Sequence, residues 1–249
     1  MNTATAEKQN KIMYISRAEN FSKIPGRPIA YWVSNILFEA FAQWRSLEQQ
    51  TICAAGVSSG NNDVYLKLWF EISLKAISFS SVSDEMFQKS LFTYVPCNKG
   101  GGYRKWYGNN EYVAQWKRSN EFHRNGSTYK ELLFKEGMSW SAITTYKFSG
   151  RYYKNGYIFD HASPSLFTNS KEQLLYFIAL TNSSVGQFIL SVINPTMNTG
   201  ADSLRKIPVD DERRYMQTVV KVSNSCVELS ENDWDSFETS WDFKKHPLI

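Results

Sequence analysis

Cysteine is scarce in this chain: Cys53, Cys97 and Cys226 are the only three in 249 residues. They are far apart, odd in number and form no Cys-x-x-Cys pair. That argues against a disulfide framework and against a structural zinc site. Histidine is equally thin, with only His123, His161 and His246, all scattered. No nucleophile–histidine arrangement stands out, and no hydrolase signature rises above chance. No uncharged apolar run of about 18 residues occurs, and no secretory leader opens the chain. The expectation is a protein of a reducing cytoplasm with no membrane segment. The Gly-x-x-x-x-Gly-Lys-Ser/Thr spacing of a phosphate-binding loop is also missing.

What is present is unevenly placed. Net charge is only +4, yet residues 99–160 hold 11 Lys/Arg against 5 Asp/Glu, and residues 207–249 hold 5 against 9. Such asymmetry points to an anionic partner for the middle of the chain. Within that basic stretch, Lys99-Gly100-Gly101-Gly102-Tyr103-Arg104-Lys105-Trp106-Tyr107-Gly108-Asn109-Asn110 combines cations, aromatics, glycines and asparagines. Lys and Arg neutralise phosphates. Arg and Asn pair with guanine and adenine edges. Glycine lets the backbone approach a phosphate and take positive φ. The same composition also fits a polar hairpin loop whose aromatics fold back onto a sheet.

The hydrophobic fraction of 42% is ordinary for a packed globular core. Ile24-Pro25-Gly26 reads as a turn. Pro28 suits a first helical position, and Ile29, Trp32, Val33, Ile36, Leu37, Ala40, Phe41 and Trp44 form a helical stripe that predicts a core helix over 28–45. Residues 56–63 read as a loop, and alternation over Val64–Ile72 as a strand. Residues 129–160 contain β-rich runs separated by glycines. Ser170 is placed to cap one helix, Ser183 or Ser184 a second that Pro195 ends, and Asp210 or Asp211 a third over 212–229. After Asn232 the tail is aromatic and acidic, with the look of a docking segment.

Three motifs invite chemistry. Asn194-Pro195-Thr196-Met197 half-resembles the Asn-Pro-Pro-aromatic loop with which amino-methyltransferases hold a flipped base. It fails at both later positions, and no glycine-rich strand-to-helix loop for S-adenosylmethionine accompanies it. A helix stop is the better reading. Ser139-Trp140-Ser141 offers hydroxyls around an aromatic for a phosphate or base, though an ordinary strand opening is favoured. Arg151, beside Tyr152 and Tyr153, reads either as a phosphate or stacking contact or as a solvated strand residue.

Taken together, several segments carry a resemblance over nearly the whole chain. They are Asn10-Lys11-Ile12 with Phe21; Ile24-Pro25-Gly26-x-Pro28-x-Ala30-Tyr31-Trp32; Gly56-x-x-x-Gly60-Asn61-Asn62-Asp63 with Trp69 and Glu71; and the Lys99–Asn109 run. Further along come Phe134-x-Glu136-Gly137-x-Ser139-Trp140-Ser141, Arg151-Tyr152 with Phe159-Asp160, Asn194-Pro195-Thr196, and Trp234-Asp235-x-Phe237-Glu238. In this order they resemble the C-terminal part of the large PglX-type adenine-specific DNA methyltransferases of bacteriophage-exclusion (BREX) systems, relatives of fused type II restriction-methylation proteins. In that family the C-terminal part recognises the DNA target, and the N-terminal part carries the cofactor pocket and catalytic loop. The chain departs from the family at Thr199, where an aromatic is expected.

The resemblance implies a mixed α/β (α+β) fold: a mixed β-sheet target-recognition domain with flanking helices and a C-terminal helical segment. The expected organisation is a polar arm over 1–27, the recognition domain over 28–206, and a helix with acidic aromatic tail over 207–249. The implied partners are double-stranded DNA and the methyltransferase catalytic region or other BREX components. No cofactor is expected in this chain and no catalytic residue; S-adenosylmethionine would serve the parent enzyme. The expected DNA contacts are Asn61, Asn62, Lys99, Arg104, Lys105, Trp106, Tyr107, Asn109, Asn110, Ser139, Trp140, Ser141 and Arg151. The rival reading is a protein-interaction module working through the acidic aromatic tail. A small stand-alone enzyme would need a cofactor pocket for which the sequence offers no motif.

Overall fold

The computed structural model describes residues 16–213 and 215–249. Most of the N-terminal arm, including Asn10-Lys11-Ile12, therefore lies outside the described residues. The first elements are α1 (Ala18–Phe21), α2 (Asn35–Gln43), β1 (Arg45–Ser46), β2 (Ile52–Ala54), α3 (Asn62–Tyr65) and β3 (Leu66–Leu68). Next come α4 (Asp84–Lys89), β4 (Val95–Asn98), β5 (Tyr112–Ala114), β6 (Gly137–Ser139), β7 (Arg151–Tyr153), β8 (Ile158–Phe159) and β9 (Ser165–Phe167). The chain finishes with α5 (Lys171–Asn182), α6 (Ser184–Ile193), α7 (Ala201–Arg205), β10 (Pro208–Val209) and α8 (Met216–Trp234).

These strands form a mixed α/β architecture. One four-stranded sheet runs β2-β9-β6-β7, antiparallel throughout. A second runs β3-β5-β4-β8, with β4 and β8 parallel. A small antiparallel pair, β1 with β10, matches Arg45 to Val209 and Ser46 to Pro208, and Leu47 N donates to Ile207 O at 2.9 Å just beyond it. Every strand is short, and both sheets are covered. One core gathers Phe38, Met138, Trp140, Phe177, Ile178 and Val227 from α2, β6, α5 and α8. The other gathers Phe87, Val95, Trp116, Phe134, Ile158 and Phe159.

Capping explains the helix pair α5–α6. Ser170 Oγ accepts from Gln173 N at 3.3 Å, and Ser183 Oγ accepts from Gly186 N at 3.0 Å. Each satisfies an orphan donor of the first helical turn. The corner between them is so tight that a Cβ at Gly186 would lie 2.1 Å from the Leu180 carbonyl oxygen. Among the described residues no single helix is long and apolar enough to cross a membrane; α5 and α6 reach that length only jointly, across a 71° bend.

Several expected elements come out differently. The helix expected over 28–45 begins at Asn35. Residues 28–33 are turns instead, held by Ala30 N to Pro28 O and Val33 N to Ala30 O. The apolar stripe runs straight through the turn, because periodicity alone does not register where Ser34 leaves helical dihedrals. Val33, Leu37, Phe38 and Ala40 point inward, while Ile29 and Ile36 are 73% and 77% exposed and Trp32 is also exposed. The strand expected over 64–72 keeps only Leu66–Leu68. Asn61 Oδ1 captures Val64 N and closes α3 before it, and Glu71 Oε2 accepts from Leu68 N and turns the chain after it. Residues 127–132 are 3₁₀ turns, and 140–150 are irregular rather than strand. Asp210 and Asp211 cap no helix: Asp211 pairs with Arg45 at 2.7 Å, and α8 starts later and runs longer than expected.

The acidic aromatic tail folds back on its own chain. Trp234 is buried, and Trp241 packs against Phe79 and Tyr157 at 5.2 and 5.9 Å between ring centroids. The Trp69 indole donates to Thr239 O at 2.9 Å.

Burial sets the expected cost of truncation. Phe38→Ala should destabilise by about 3–5 kcal/mol through lost transfer energy plus a cavity. Ile36→Ala, two residues away on the outer face, should stay within about 0.5 kcal/mol of the parent. Urea unfolding of both variants checks this, and equal losses would mean that the outer face is covered in solution.

Candidate nucleic-acid interface

The run from Lys99 to Asn110 splits into two halves with different surroundings. Lys99 leaves the end of β4 and pairs with the buried Asp160 carboxylate at 3.0 Å, with Asn62 Oδ1 at 3.5 Å. Gly100 and Gly101 follow with φ of 96° and 121°, a region L-residues rarely enter. A Cβ at Gly101 would also sit 2.9 Å from Asn109 Nδ2. That amide donates to Gly102 O at 2.9 Å and closes the neck of the loop. Of this first half only residues 101–103 are exposed; Lys99 is half-buried and Gly100 is buried.

The second half turns inward. Arg104 pairs with Asp233 at 3.1 Å and lies over the Trp234 ring at 5.0 Å. Lys105 donates to Asn182 O at 2.6 Å, and its pKa is lowered by burial and by neighbouring Lys147. Trp106 pairs its backbone with Gly150 O and Tyr152 N at 2.9 and 2.7 Å. Tyr107 and Asn110 are buried, and burial pushes the Tyr107 hydroxyl up. The organising residue is Asn182, at the end of α5, which sequence reasoning missed. Its carboxamide donates to Gly150 O and accepts from Gly150 N, both at 2.9 Å.

The Ser139–Ser141 segment is divided as well. Ser139 is buried in β6, paired with Arg151 and Ser165. The Trp140 indole is fully buried and donates to Thr199 O at 2.7 Å. Only Ser141 reaches the surface, where its hydroxyl donates to Gly101 O at 2.8 Å. Arg151 is not a solvated strand residue: it is 2% exposed. Its guanidinium reaches Ser141 Oγ at 3.4 Å and the carbonyls of Arg104 and Ser149 at 3.5 Å. Burial, with Arg104 nearby, lowers its pKa to about 10, so it is still a cation at neutral pH.

A cleft of about 810 Å³ opens where these pieces meet. Its walls include Lys99, Gly100, Gly101, Arg124, Ser141 and His161. Arg205 also lines it, tied to Asp202 at 2.8 Å and to the Cys53 carbonyl. Arg124 is exposed and has no ion pair among the described residues. Tyr103, beside the glycines, meets Tyr146 edge-on at 4.6 Å, and both rings are exposed. Of the expected contacts, the structure brings Lys99 and Ser141 together at this cleft, with Arg151 directly behind Ser141 and Asn62 beside Lys99 but outside the cleft wall. Arg104, Lys105, Trp106, Tyr107, Asn110, Ser139 and Trp140 serve the interior or its edges, while Asn109 braces the loop neck and Asn61 caps α3. In this conformation the buried members of that set have no free face for DNA. Arg124, His161 and Arg205 were not anticipated, and nothing beyond general basicity marked them in the sequence.

Asn194-Pro195-Thr196 does not fit a catalytic loop. The Asn194 amide donates to Asn198 O at 2.7 Å and to Ser203 Oγ at 3.0 Å, and its oxygen accepts from Thr196. The side chain is consumed by its own turn, as the helix-stop reading expects.

No protein-family model matches the chain. It is 34% identical over 260 residues to the adenine-specific methyltransferase PglX of Lacticaseibacillus casei (strain Zhang), covering 99% of this chain and 21% of that protein. It is 32% identical over 235 residues to the adenine-specific methyltransferase BrxX of Escherichia coli O9:H4 (strain HS), covering 92% of this chain and 18% of that protein. The chain is a relative of the PglX-type adenine-specific methyltransferases. It spans about a fifth of the length of the curated relatives it matches. The match runs over nearly the whole of this chain and so includes the stretches that carried the resemblance. In this structure many of those residues build the frame: Trp140, Arg151 and Asp160 are all interior.

Asn182→Ala would strip partners from a buried peptide group, and unpaired buried groups cost about 1–3 kcal/mol each. The expected result is a loss of about 2–3 kcal/mol, read by thermal or urea unfolding. Arg104→Ala, which removes a half-exposed ion pair and a cation–π contact, should cost about 1 kcal/mol. An unchanged midpoint for Asn182→Ala would show that the loop is held by other bonds.

Proposed function

We propose that this chain is the DNA-contacting, target-recognition part of an N6-adenine DNA methyltransferase of a phage-defence (BREX) or restriction-modification system. The cleft between Lys99–Gly101, Arg124 and Ser141 is its DNA seat. The observation that carries this reading is the cleft itself: three cations and a glycine-rich rim, with Arg124 uncompensated. Cations of this kind hold phosphates and set register, and base-edge contacts supply sequence choice. The relation to adenine-specific methyltransferases supports the reading. Methyl transfer from S-adenosylmethionine is assigned to the catalytic region of the longer enzyme, with DNA in the cytoplasm as the substrate.

The rival protein-interaction reading shifts ground. The acidic aromatic tail is engaged within the chain, and the exposed apolar face of Ile29, Trp32 and Ile36 is the surface that would support it. Salt separates the two, since phosphate contacts weaken steeply with salt and apolar docking does not.

The test is duplex binding by fluorescence anisotropy at several salt concentrations. Arg124→Ala should weaken binding and lower the log–log salt slope by roughly 0.9. Arg104→Ala should leave the slope unchanged, because that guanidinium is committed to Asp233 and Trp234. With labelled S-adenosylmethionine and mixed-sequence DNA, the chain alone should transfer no methyl above background. Binding that is insensitive to salt and to Arg124→Ala would overturn the cleft as the DNA seat.

A further inference from the structure

Arg151 presents an electrostatic imbalance that the fold does not resolve. A guanidinium 2% exposed is costly to bury without a counter-charge. Yet no carboxylate pairs with it among the described residues, and its three hydrogen bonds are long, at 3.4–3.5 Å. The charge that acts on it is that of a second cation, Arg104. Arg104 has Asp233 as its own partner, and Lys99 has Asp160. Arg151 is left with neutral acceptors, two of them backbone carbonyls.

Its position gives the imbalance a direction. One hydroxyl separates the guanidinium from the cleft: Ser141 Oγ, which faces Arg151 on one side and donates to Gly101 O on the other. Ser141, Gly100, Gly101 and Lys99 all line the cleft wall. The backbone there takes positive φ at Gly100 and Gly101, and without side chains it leaves room for a group to approach the main chain closely. Arg124 lies on the same cleft.

We propose that the Gly100–Gly101–Ser141 corner is a seat for one phosphodiester group of a nucleic-acid backbone, with the buried Arg151 as a positioning residue that supplies its counter-charge through Ser141. This deepens the DNA reading and rests on it. The anion, rather than any protein carboxylate, completes the ion pair. Arg151 touches no ligand directly: it donates to the Ser141 oxygen, whose O–H turns from Gly101 O to the anion, and it holds a fixed positive potential behind that hydroxyl, in an environment where charge is poorly screened.

The decisive variant is Ser141→Asp, which places the missing carboxylate against Arg151 inside the protein. It should fold at least as stably as the parent and bind a duplex about ten-fold more weakly at low salt, the scale of one charge-assisted contact. In a second arm, inorganic phosphate should raise the melting temperature of the parent above that in chloride of equal ionic strength, and should do so less in Ser141→Asp. Arg151→Lys should keep most of the duplex affinity and salt slope while Arg151→Met loses both; a merely structural role would lower the melting temperature and leave the slope alone. This pair decides the matter if Ser141→Asp folds poorly. Duplex weakening without a response to free phosphate supports a seat specific to the nucleic-acid backbone. A phosphate response without duplex weakening overturns the phosphodiester assignment. If Arg124→Ala weakens DNA binding and Ser141→Asp does not, the cleft stands and the seat falls. If neither weakens it, both fall.

Discussion

The bidentate pairing of the Asn182 carboxamide with the Gly150 peptide is the constraint on which the rest depends. It fixes the end of α5 against the start of β7. Gly150 O accepts from Trp106 as well, and the Asn182 carbonyl accepts from Lys105. One buried amide therefore joins a helix, a sheet edge and the basic loop. Buried polar networks of this kind are stabilising only when every member is satisfied, which makes the arrangement specific to one geometry. The turn between α5 and α6, the course of β7 and the exit of the loop all follow from it.

With its second half pinned, the basic loop can expose only its first half. Arg104 and Lys105 neutralise interior or edge acceptors, and their charge is largely spent within the protein. Gly101, Gly102 and the half-buried Ser141 are left at the surface; Lys99 lines the same cleft but is paired with Asp160, and Arg124 is the cleft cation with no ion pair among the described residues. The surface potential thus concentrates at a cleft rather than along the loop. Arg151 adds a cation that no carboxylate offsets, just behind the cleft wall. A concave surface with low-dielectric walls and an excess of one sign focuses its field on whatever enters.

The relation to PglX and BrxX methyltransferases sits naturally beside this architecture. A chain that spans about a fifth of those relatives folds around two cores, and Trp234 and Trp241 near its C-terminal end close onto them. Much of what the relatives share with this chain is framework. Trp140, Arg151 and Asp160 belong to the motifs that carried the resemblance, and each is buried. Resemblance in such residues carries the fold faithfully and says less about which side chains touch a ligand.

Local chemistry was legible in the sequence because it is settled over a few residues. Ser170 and Ser183 cap α5 and α6, Ile24-Pro25-Gly26 turns, and the Asn-Pro-Thr segment stops a helix. The family, and with it the mixed α/β class, followed from ordered motifs along the chain. The boundary at Ser34 and the short β3 were missed because hydrophobic periodicity does not register the extended Ser34 or the local bonds of Asn61 and Glu71. The docking of Trp241 was not legible because its partners, Phe79 and Tyr157, lie far away in the chain. The same holds for the interface. Composition alone marked a basic, glycine-rich loop, and it predicted neither that Asn182 would draw Lys105 inward nor that Arg124 and Ser141 would meet Gly101. Side-chain type fixes what charge a residue brings, and that is local. Whether the charge is spent inside or offered to solvent depends on what the fold packs beside it, and only the tertiary structure decided that.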